Sequence, residues 1–510
     1  MENAASRASV TSRKIQLTFA VKQRNIAKLE STLLSVSSPK SANYGKLWSL
    51  DEVNQLTAPA QADVDTVVSF LKEHGVSEWD FVSGFLRTTV PVEIAEKMLD
   101  TQYKEYVHQS DGHKVLRCSD YRLPEHVASV VDFVSPTVNF PANFKPTAIQ
   151  SDVAAAYQNT PTSLRTLYSV NATGSYNVKS RQAVTAFLEE HYQETDLQSF
   201  YKTYFPSLYG TPLYQVIGPN SAPGTTEASL DVDYMTPLGA GVPTEFWSFA
   251  GRAPDNAENE PFLDWLYYLG NTTDAPYVFS TSYGEGEDTV SLDYATRINQ
   301  EFAEQGLRGV SFLVSSGDSG VGGSGLRCTK FDPAFPADSP FVTAVGGTTG
   351  LSPETTASLS GGGFSNRWPQ QSWQADAVKN FLATNTQLPA ASYYNTSGRA
   401  YPDVSGQATN YVVIAGGKTY ASVAGTSCSS PTVGGIIGLL NSFRVAAGKS
   451  PLGFLNPFIY ENGDLFTDIT AGNNPGCSTS GFYASKGWDP ATGFGTPNFD
   501  KLLKAVLALP

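Results

Sequence analysis

The sequence is poor in histidine, cysteine and basic residues, and it has no long apolar run. Its 510 residues include 5 histidines and 4 cysteines, and 34 Lys and Arg stand against 48 Asp and Glu, for a formal charge of −14. This acidic balance argues against a general affinity for nucleic acid or an anionic membrane. The apolar stretch 433–440 is far shorter than the ~20 residues that cross a bilayer. We therefore expect neither nucleic acid nor a membrane as partner.

The cysteines and the N-terminus bear on the compartment. No CxxC spacing occurs among the cysteines, which argues against structural zinc. The N-terminal residues are polar and basic where a secretory signal has a continuous apolar core. Three N-glycosylation sequons nevertheless begin at Asn171, Asn271 and Asn395. We expect a protein of the secretory route whose signal peptide is missing from this sequence.

Hydrophobic periodicity predicts a small N-terminal unit. Apolar residues alternate over 15–21 as in a strand, helical spacing follows over 26–36, 62–71 and 92–99, and residues 81–90 contain strand-like stretches. This order predicts an α+β unit of βαββαβ form within residues 1–140. Residues 141–161 contain three prolines and little periodicity, so we interpret them as a linker.

The remaining residues, 162–510, predict a second unit of α/β type. A strand-like stretch over 277–283, a helical stretch over 291–305 and a strand-like stretch over 309–314 follow one another. Such alternation is typical of a parallel sheet with crossover helices. Functional residues of these sheets lie in loops just past the carboxyl ends of the strands.

Ser427 is a candidate nucleophile in the turn Gly425-Thr-Ser427, ahead of a predicted apolar helix over 432–443. Free N–H groups at a helix N-terminus favour developing negative charge, although a plain serine N-cap is the commoner explanation of such a position. Four of the histidines precede the linker, and we predict His191 within a charged helix over 189–192. A Ser-His-Asp triad is therefore hard to build.

Carboxylates offer an alternative base. Glu227 and Asp231 are four residues apart, so on a helix they share one face and can form a coupled acid pair. Asp318 follows the predicted strand 309–314 in a Ser-Gly-Asp-Ser-Gly turn. Taken singly, the first two are also typical of a solvated helix face, and the third of a turn cap.

Together these residues resemble the sedolisins, or serine-carboxyl peptidases, and the resemblance covers almost the whole chain. In the leading unit, Ser38-Pro39 and Tyr44-Gly-Lys46 resemble the family's propeptide. The blocks of the peptidase part occur in the family's order: Glu227-Ala-Ser-Leu-Asp231, Ser316-Gly-Asp-Ser-Gly320, Ser360-Gly-Gly-Gly-Phe-Ser365, Gly398-Arg-Ala-Tyr-Pro-Asp403 and Gly425-Thr-Ser427. The resemblance implies a subtilisin-like α/β fold, with a seven-stranded, largely parallel sheet flanked by helices, behind a ferredoxin-like prodomain.

The resemblance also implies a role for each site residue. Ser427 would be the nucleophile, Glu227 the general base and acid, Asp231 the group that orients Glu227, and Asp318 the oxyanion donor. Two positions depart from the family's usual residues. Ala424 replaces a serine, and Cys428 replaces an alanine, so that a thiol beside the nucleophile could confer sensitivity to thiol reagents.

A calcium site and a disulfide are implied in the same way. The resemblance assigns one structural calcium ion to Asp468, Ile469, Ser485, Gly487 and Asp489, which supply two carboxylates and backbone carbonyls, the hard oxygen ligands that calcium prefers. Without the resemblance, two aspartates in turns would explain these residues. It further implies a Cys328–Cys477 bridge, with Cys118 and Cys428 unpaired.

The function implied is that of an acid-active serine peptidase, made as a zymogen and inhibited by its own propeptide. Its expected substrates are peptides and unfolded proteins with free N-termini, from which it releases tripeptides in a lysosome or comparable acidic compartment, or after secretion. An endopeptidase with the same site residues is the first alternative. A non-catalytic glycoprotein of the same fold is the second, and the presence of all four site residues argues against it.

Overall fold

The N-terminal unit is a small sheet with helices packed on it. The computed structural model describes residues 7–107, 114–138, 149–151, 157–249, 251, 261–322 and 328–510. The first unit contains strands β1 (Lys14–Val21), β2 (Asp80–Val82), β3 (Phe85–Pro91), β4 (Lys104–Val107), β5 (Lys114–Arg117) and β6 (Val131–Ser135), and helices α1 (Arg7–Thr11), α2 (Ile26–Ser37), α3 (Leu50–Thr57), α4 (Gln61–Glu73), α5 (Val92–Leu99) and α6 (Glu125–Ala128).

The sheet of this unit has the order β2-β3-β1-β6, and its described pairings are antiparallel. Leu17, Phe19 and Val21 of β1 are fully buried, as their alternation predicts. With α2 to α4 between β1 and β2, and α5 between β3 and β6, the βαββαβ prediction is confirmed. The hairpin β4–β5 is an addition that the periodicity did not predict.

The second unit contains the remaining elements. Its helices are α7 (Pro161–Leu167), α8 (Glu194–Tyr204), α9 (Thr226–Leu238), α10 (Phe262–Leu269), α11 (Leu292–Leu307), α12 (Ala375–Thr384), α13 (Thr426–Ala446), α14 (Asn456–Glu461) and α15 (Phe499–Ala508). Its strands are β7 (Ile149–Ser151), β8 (Gln182–Ala186), β9 (Gln215–Ile217), β10 (Thr244–Ser248), β11 (Val278–Thr281), β12 (Glu285–Gly286), β13 (Ser311–Ser315), β14 (Ala334–Phe335), β15 (Thr343–Thr349), β16 (Thr355–Thr356), β17 (Gly363–Pro369), β18 (Gly398–Tyr401), β19 (Val404–Gln407), β20 (Tyr411–Ala415), β21 (Lys418–Ala424), β22 (Phe466–Thr467) and β23 (Thr496–Pro497).

The main sheet confirms the predicted subtilisin-like arrangement. It has eight described strands in the order β16-β15-β13-β11-β8-β10-β9, with β19 also paired to β15. All of these pairings are parallel except that of β16 with β15, so seven strands run parallel. On one face, α9 and α13 are buried along almost their whole length. On the other, the ring of Trp265 lies 5.6 Å from that of Phe279 and 5.5 Å from that of Phe312.

The end of the predicted linker packs onto the second unit. Asn159 is fully buried, and its Nδ2 donates to Gln407 Oε1 at 3.0 Å and to the Thr409 carbonyl at 2.8 Å. The strand β7 pairs with β21, which leads into the candidate nucleophile. Residues 141–148 and 152–156 of the linker lie outside the described residues, so the domain boundaries stay a prediction.

The two units meet along α11. Arg297 is 1% exposed; it donates to the Val21 carbonyl at 2.8 Å and to the Ser83 carbonyl at 2.5 Å of the first unit. Its Nε donates to Glu301 Oε1 at 3.0 Å, and Gln23 Nε2 donates to Glu304 Oε1 at 2.7 Å. The contact thus combines a buried arginine and two buried carboxyl groups with an apolar cluster, in which the ring of Phe133 lies 5.8 Å from that of Tyr294.

No described helix combines the length and the apolar character needed to cross a membrane.

Candidate active site

An acid pair lies at the start of α9. Glu227 is in the first turn of this helix, and Asp231 follows one turn later and is fully buried. Ser282, just past the carboxyl end of β11, donates from Oγ to Asp231 Oδ1 at 2.6 Å. Burial, then the negative charges of Asp231, Glu190 and Asp318, raise the pKa of Glu227 well above its usual range. The pKa of Asp231 is raised by burial and by Glu190.

Ser427 lies in the first turn of α13 and is 5% exposed. The prediction that this helix begins at residue 432 is wrong, because it begins at Thr426 and continues through Pro431. A proline inside a helix has no N–H for the carbonyl four residues earlier, which here is that of Ser427. Ser282 Oγ, whose proton is directed to Asp231 at 2.6 Å, also lies 3.4 Å from this freed carbonyl oxygen. Ser282 therefore connects the acid pair to the backbone of the candidate nucleophile.

The hydroxyl group of Ser427 faces Glu227. Ser427 Oγ and Glu227 Oε1 are both buried, and neither atom has a hydrogen-bond partner. The two side chains are still close enough for the serine hydroxyl to lower the pKa of Glu227, against the larger effect of burial. Catalytic hydrogen bonds are often long in the absence of substrate, so this approach suits a nucleophile and its base.

Asp318 lies on the other side of Ser427, in the loop after β13. Its Oδ1 accepts hydrogen bonds from Thr426 N at 2.6 Å and from Thr426 Oγ1 at 2.9 Å. A methyl group at Gly425 would lie 2.8 Å from Asp318 Oδ2 and 3.0 Å from Ser427 Oγ. Only glycine leaves this place open, so Oδ2 and the serine oxygen border one small space. Burial raises the pKa of Asp318.

Histidine is absent from the described part of this site. His191 lies in a loop after β8, and its backbone N–H donates to Thr225 Oγ1 at 3.0 Å. The prediction of a helix over 189–192 is wrong, because Leu188 and Glu189 have φ of 55° and 60°, which turns the chain out of the right-handed helical region. His74 and His126 lie in the first unit.

Three residues that the sequence reasoning did not single out contribute to the site. They are Ser282, which binds Asp231, Thr426, which fixes Asp318, and Glu190, whose charge acts on both members of the acid pair. A polar residue just past a buried strand was a usable signal for Ser282. Glu190 gave no such signal, because it reaches the pair only through the fold of the loop after β8.

The predicted calcium ligands meet around one loop. Gly487 N donates to Asp468 Oδ2, and Ser485 N donates to Asp489 Oδ2, both at 2.9 Å. Burial raises the pKa of both carboxyl groups, that of Asp489 to about 7, and Ile469 is buried beside Asp468. No group of three His, Cys, Asp or Glu side chains suited to a metal ion occurs among the residues described. A cation here would need two carboxylates completed by backbone carbonyls, which is the set that the resemblance implies.

The disulfide prediction is confirmed. Cys328 and Cys477 are bonded, with Cα atoms 5.2 Å apart, and Cys118 and Cys428 are free and buried. Cys428 is fully buried directly after the candidate nucleophile, and burial raises the pKa of its thiol well above the usual value. Since the thiolate is the reactive form, this environment opposes the expected sensitivity to thiol reagents.

Comparisons with known proteins define the class of protein. Residues 4–140 match the family described as "Pro-kumamolisin, activation domain", and residues 256–450 match the "Subtilase family". A Pseudomonas sedolisin structure, a serine-carboxyl proteinase, has the same fold, with a TM-score of 0.55 and 22% identity over 69% of this chain and 98% of the other. The chain is a zymogen serine-carboxyl peptidase with a subtilisin-like peptidase domain.

The curated relatives give the particular family. Mouse tripeptidyl-peptidase 1 is 38% identical over 520 residues, and the human protein of the same name is 37% identical over 525 residues. Each alignment covers 97% of this chain and 92% of the relative. The chain belongs to the tripeptidyl-peptidase 1 family.

Proposed function

We propose that this peptidase releases tripeptides from the free N-termini of peptides and unfolded proteins, through an acyl-enzyme and at acid pH. The observation that carries the mechanism is that Ser427 Oγ approaches Glu227, the partner of the fully buried Asp231, and shares one small space with Asp318 Oδ2. Tripeptide release is supported by the name and the full-length similarity of the relatives.

The first step is attack by the serine. Glu227, ionised, takes the proton of Ser427 Oγ, which bonds to the carbonyl carbon of the scissile peptide. Glu227 then gives this proton to the leaving amine, and the acyl-enzyme remains. In the second step Glu227 takes a proton from a water molecule, which attacks the carbonyl carbon of the acyl-enzyme. Glu227 then returns this proton to Ser427 Oγ as the bond to the product breaks.

The other acids act on charge and position. Asp318 donates a hydrogen bond from its protonated Oδ2 to the oxyanion of each tetrahedral intermediate and keeps its proton throughout, a role that requires a protonated carboxyl group. The raised pKa of Asp318 supports this assignment. Asp231, fixed by Ser282, orients Glu227 and shares its titration, because the charge of Asp231 raises the pKa of Glu227 and two such groups do not ionise independently.

The substrate part of the proposal is tested with one peptide in two forms. A decapeptide with a free α-amine is expected to lose successive tripeptides, whereas its N-acetylated form is expected to stay intact, as measured by mass spectrometry. The Ser427→Ala protein is the control for contaminating peptidases. Internal cleavage of both forms at equal rates would instead identify an acid endopeptidase.

We further propose that Asp468, Asp489 and backbone carbonyls of Ile469, Ser485 and Gly487 hold one structural calcium ion. The convergence of two carboxyl groups, that of the exposed Asp468 and that of the fully buried Asp489, on the loop 485–487 supports this. The ion would compensate their charge and join two segments of the C-terminal part, far in sequence from Ser427, so it would serve folding and not the chemistry.

An acidic organelle such as the lysosome is the proposed location, with secretion as the alternative. The requirement for a protonated Asp318 supports an acidic compartment. Asn171, Asn271 and Asn395 of the sequons are all exposed, so each is accessible to glycosylation on the secretory route.

A further inference from the structure

Two buried carboxyl groups outside the catalytic set lie behind the site. Glu287 begins a short 3-10 turn directly after β12, and Asp338 follows β14. The strands β12 and β14 pair with each other, so these two segments are neighbours. Glu287 is 2% exposed and Asp338 is 0% exposed.

Glu287 has the hydrogen bonds of an ionised carboxylate. Its Oε2 accepts from Asn366 N at 2.9 Å, and its Oε1 accepts from Arg367 N at 3.1 Å and from Ser365 Oγ. Each of these partners is a donor, so the group needs no proton of its own.

Asp338 has the surroundings of a protonated carboxyl group. Both of its oxygens are buried, and neither has a hydrogen-bond partner. Burial is the largest cause that raises the pKa of Asp338, and the neighbouring carboxyl group of Glu287 raises it further, against smaller opposite effects of Ser365 and Arg399. A proton on Asp338 can be donated to Glu287, which satisfies both groups at once.

The other charged groups nearby do not supply a free counter-charge. Arg399 attracts Asp338, but its Nη2 donates to Asp403 Oδ2 at 2.7 Å. Asp332 and Asp288 also lie beside Glu287. Burial and the negative charges of Asp288 and Glu287 raise the pKa of Asp332 to about 7, and Arg367 partly offsets this effect. The neighbouring tyrosines, Tyr401 and Tyr460, have raised pKa values and are neutral.

Both segments of the pair lie beside the catalytic site. The chain before β12 contains Ser282, the partner of Asp231. Ala334 of β14 lies against Gly317, where an added Cβ would be 3.5 Å from that of Ala334, next to Asp318. A third segment, bound to Glu287, begins at Gly361, whose N–H donates to the Gly317 carbonyl at 2.7 Å. A displacement of these segments would therefore move a partner of Asp231 or the loop that contains Asp318.

We propose that Glu287 and Asp338 share one proton and act as a positioning pair, which holds the neighbours of Asp231 and Asp318 in place only while that proton is bound. Loss of the proton leaves two negative charges in contact in a buried place, and the two segments separate. The pair thus sets an upper pH limit for the folded cleft, whichever peptides the enzyme cleaves and whatever limits the chemical step.

The test uses full-length Ser427→Ala protein, which cannot cleave itself, with and without Asp338→Asn. An acid whose pKa is raised by folding stabilises the fold fully below its unfolded pKa of ~4, and this stabilisation is lost as the pH rises toward the folded pKa. The melting temperature of the parent is therefore expected to fall between pH 5 and pH 8. Asp338→Asn, which donates without ionising, is expected to flatten this fall by the equivalent of about one proton.

Glu287→Gln is the matched control. Its amide cannot accept from both Asn366 N and Arg367 N, so the melting temperature is expected to be lower at every pH. The slope is expected to flatten less than in Asp338→Asn, because burial, the largest cause, still raises the pKa of Asp338. An unchanged slope in Asp338→Asn, or equal flattening by both substitutions, would overturn the proposal.

Hydrogen exchange gives a second test that needs no substitution in the pair. In Ser427→Ala protein, peptides over 283–289 and 363–369 are expected to lose protection between pH 5 and pH 7, after correction for intrinsic exchange, while β20 keeps it. Equal protection of all three peptides at both pH values would refute the pair, even if Asp338→Asn does not fold.

Discussion

Replacement of Asp318 by asparagine keeps a hydrogen-bond donor for the oxyanion but removes its ability to ionise. The two hydrogen bonds from Thr426 hold Oδ1 as the acceptor, so Oδ2 is the oxygen that carries the proton toward Ser427. In Asp318→Asn the same bonds orient the amide, which places N–H at the position of Oδ2. The donor is kept, but it cannot ionise.

The expected loss of rate follows from this geometry. Removal of an oxyanion donor typically lowers kcat by ~10²–10³, or about 3–4 kcal/mol, which is the loss expected for Asp318→Ala. Asp318→Asn keeps a weaker donor in place, so a loss of roughly tenfold is expected, or about 1.4 kcal/mol.

The pH profile is the decisive measurement. Burial raises the pKa of Asp318, so the protonated form persists above its ordinary range and is lost on further increase in pH. In the parent, kcat/KM should fall about tenfold per pH unit above that pKa, which gives the alkaline limb of a bell-shaped profile. Asp318→Asn should extend the remaining activity toward neutral pH. Initial rates, with a brief exposure to each pH, exclude inactivation as the cause.

An unchanged alkaline limb in Asp318→Asn would show that the donor is assigned wrongly. So would a wild-type optimum near pH 8, or equal losses in Asp318→Asn and Asp318→Ala. The acid limb should remain in both variants, because it belongs to the Glu227–Asp231 pair as a unit.

Other predictions address the base, the thiol, the linker and calcium. Glu227→Gln and Ser427→Ala should abolish turnover, and residual activity in either above a heat-killed blank would contradict the mechanism. Native enzyme should resist iodoacetamide, and Cys428→Ala should keep activity within about twofold, because the thiol is buried and its pKa is raised; rapid inactivation of the parent alone would be the opposite result. The full chain should be inactive at neutral pH and be cut within residues 140–161 on acidification, and an active product with an intact N-terminal unit in mass spectra would refute this. Calcium at 100 times its dissociation constant should stabilise the fold by about 2.7 kcal/mol, an effect that Asp468→Ala should remove and exposed Asp464→Ala should keep; identical melting with calcium and with chelator would exclude the site.

The fold was predictable where periodicity and burial agree. The strand over 15–21 and the helix over 92–99 stand in the structure within a residue of their predicted positions, because one face of each is apolar and buried. The start of α13 was not predictable in the same way, since Pro431 and the polar residues before it read as a turn. Ser282 lies beside the carbonyl that the proline leaves free, and this tertiary contact is not encoded in the local sequence.

The candidate site was also predictable only in part. Its four residues, Glu227, Asp231, Asp318 and Ser427, were identified from the motif blocks, and the fold gathers them around Gly425 and α9. Their catalytic roles stay predictions until the variants above are measured. Glu287 and Asp338 could not be paired from sequence, because the pairing depends on the contact of β12 with β14, which no local pattern encodes.

The contact between the N-terminal unit and α11 determines what the peptidase domain exposes after maturation. In the precursor, Arg297, Glu301 and Glu304 are interior residues, shielded from water. Removal of the first unit turns the same helix face into an outer surface. Leu33 of α2 and Phe133 of β6 also belong to one buried apolar cluster with Tyr294 and Phe302 of α11, so the uncovered face would combine hydratable charges with apolar side chains. Large exposed apolar patches favour association. The buried charges of α11 therefore interrupt an apolar surface that the precursor covers with its own N-terminal unit.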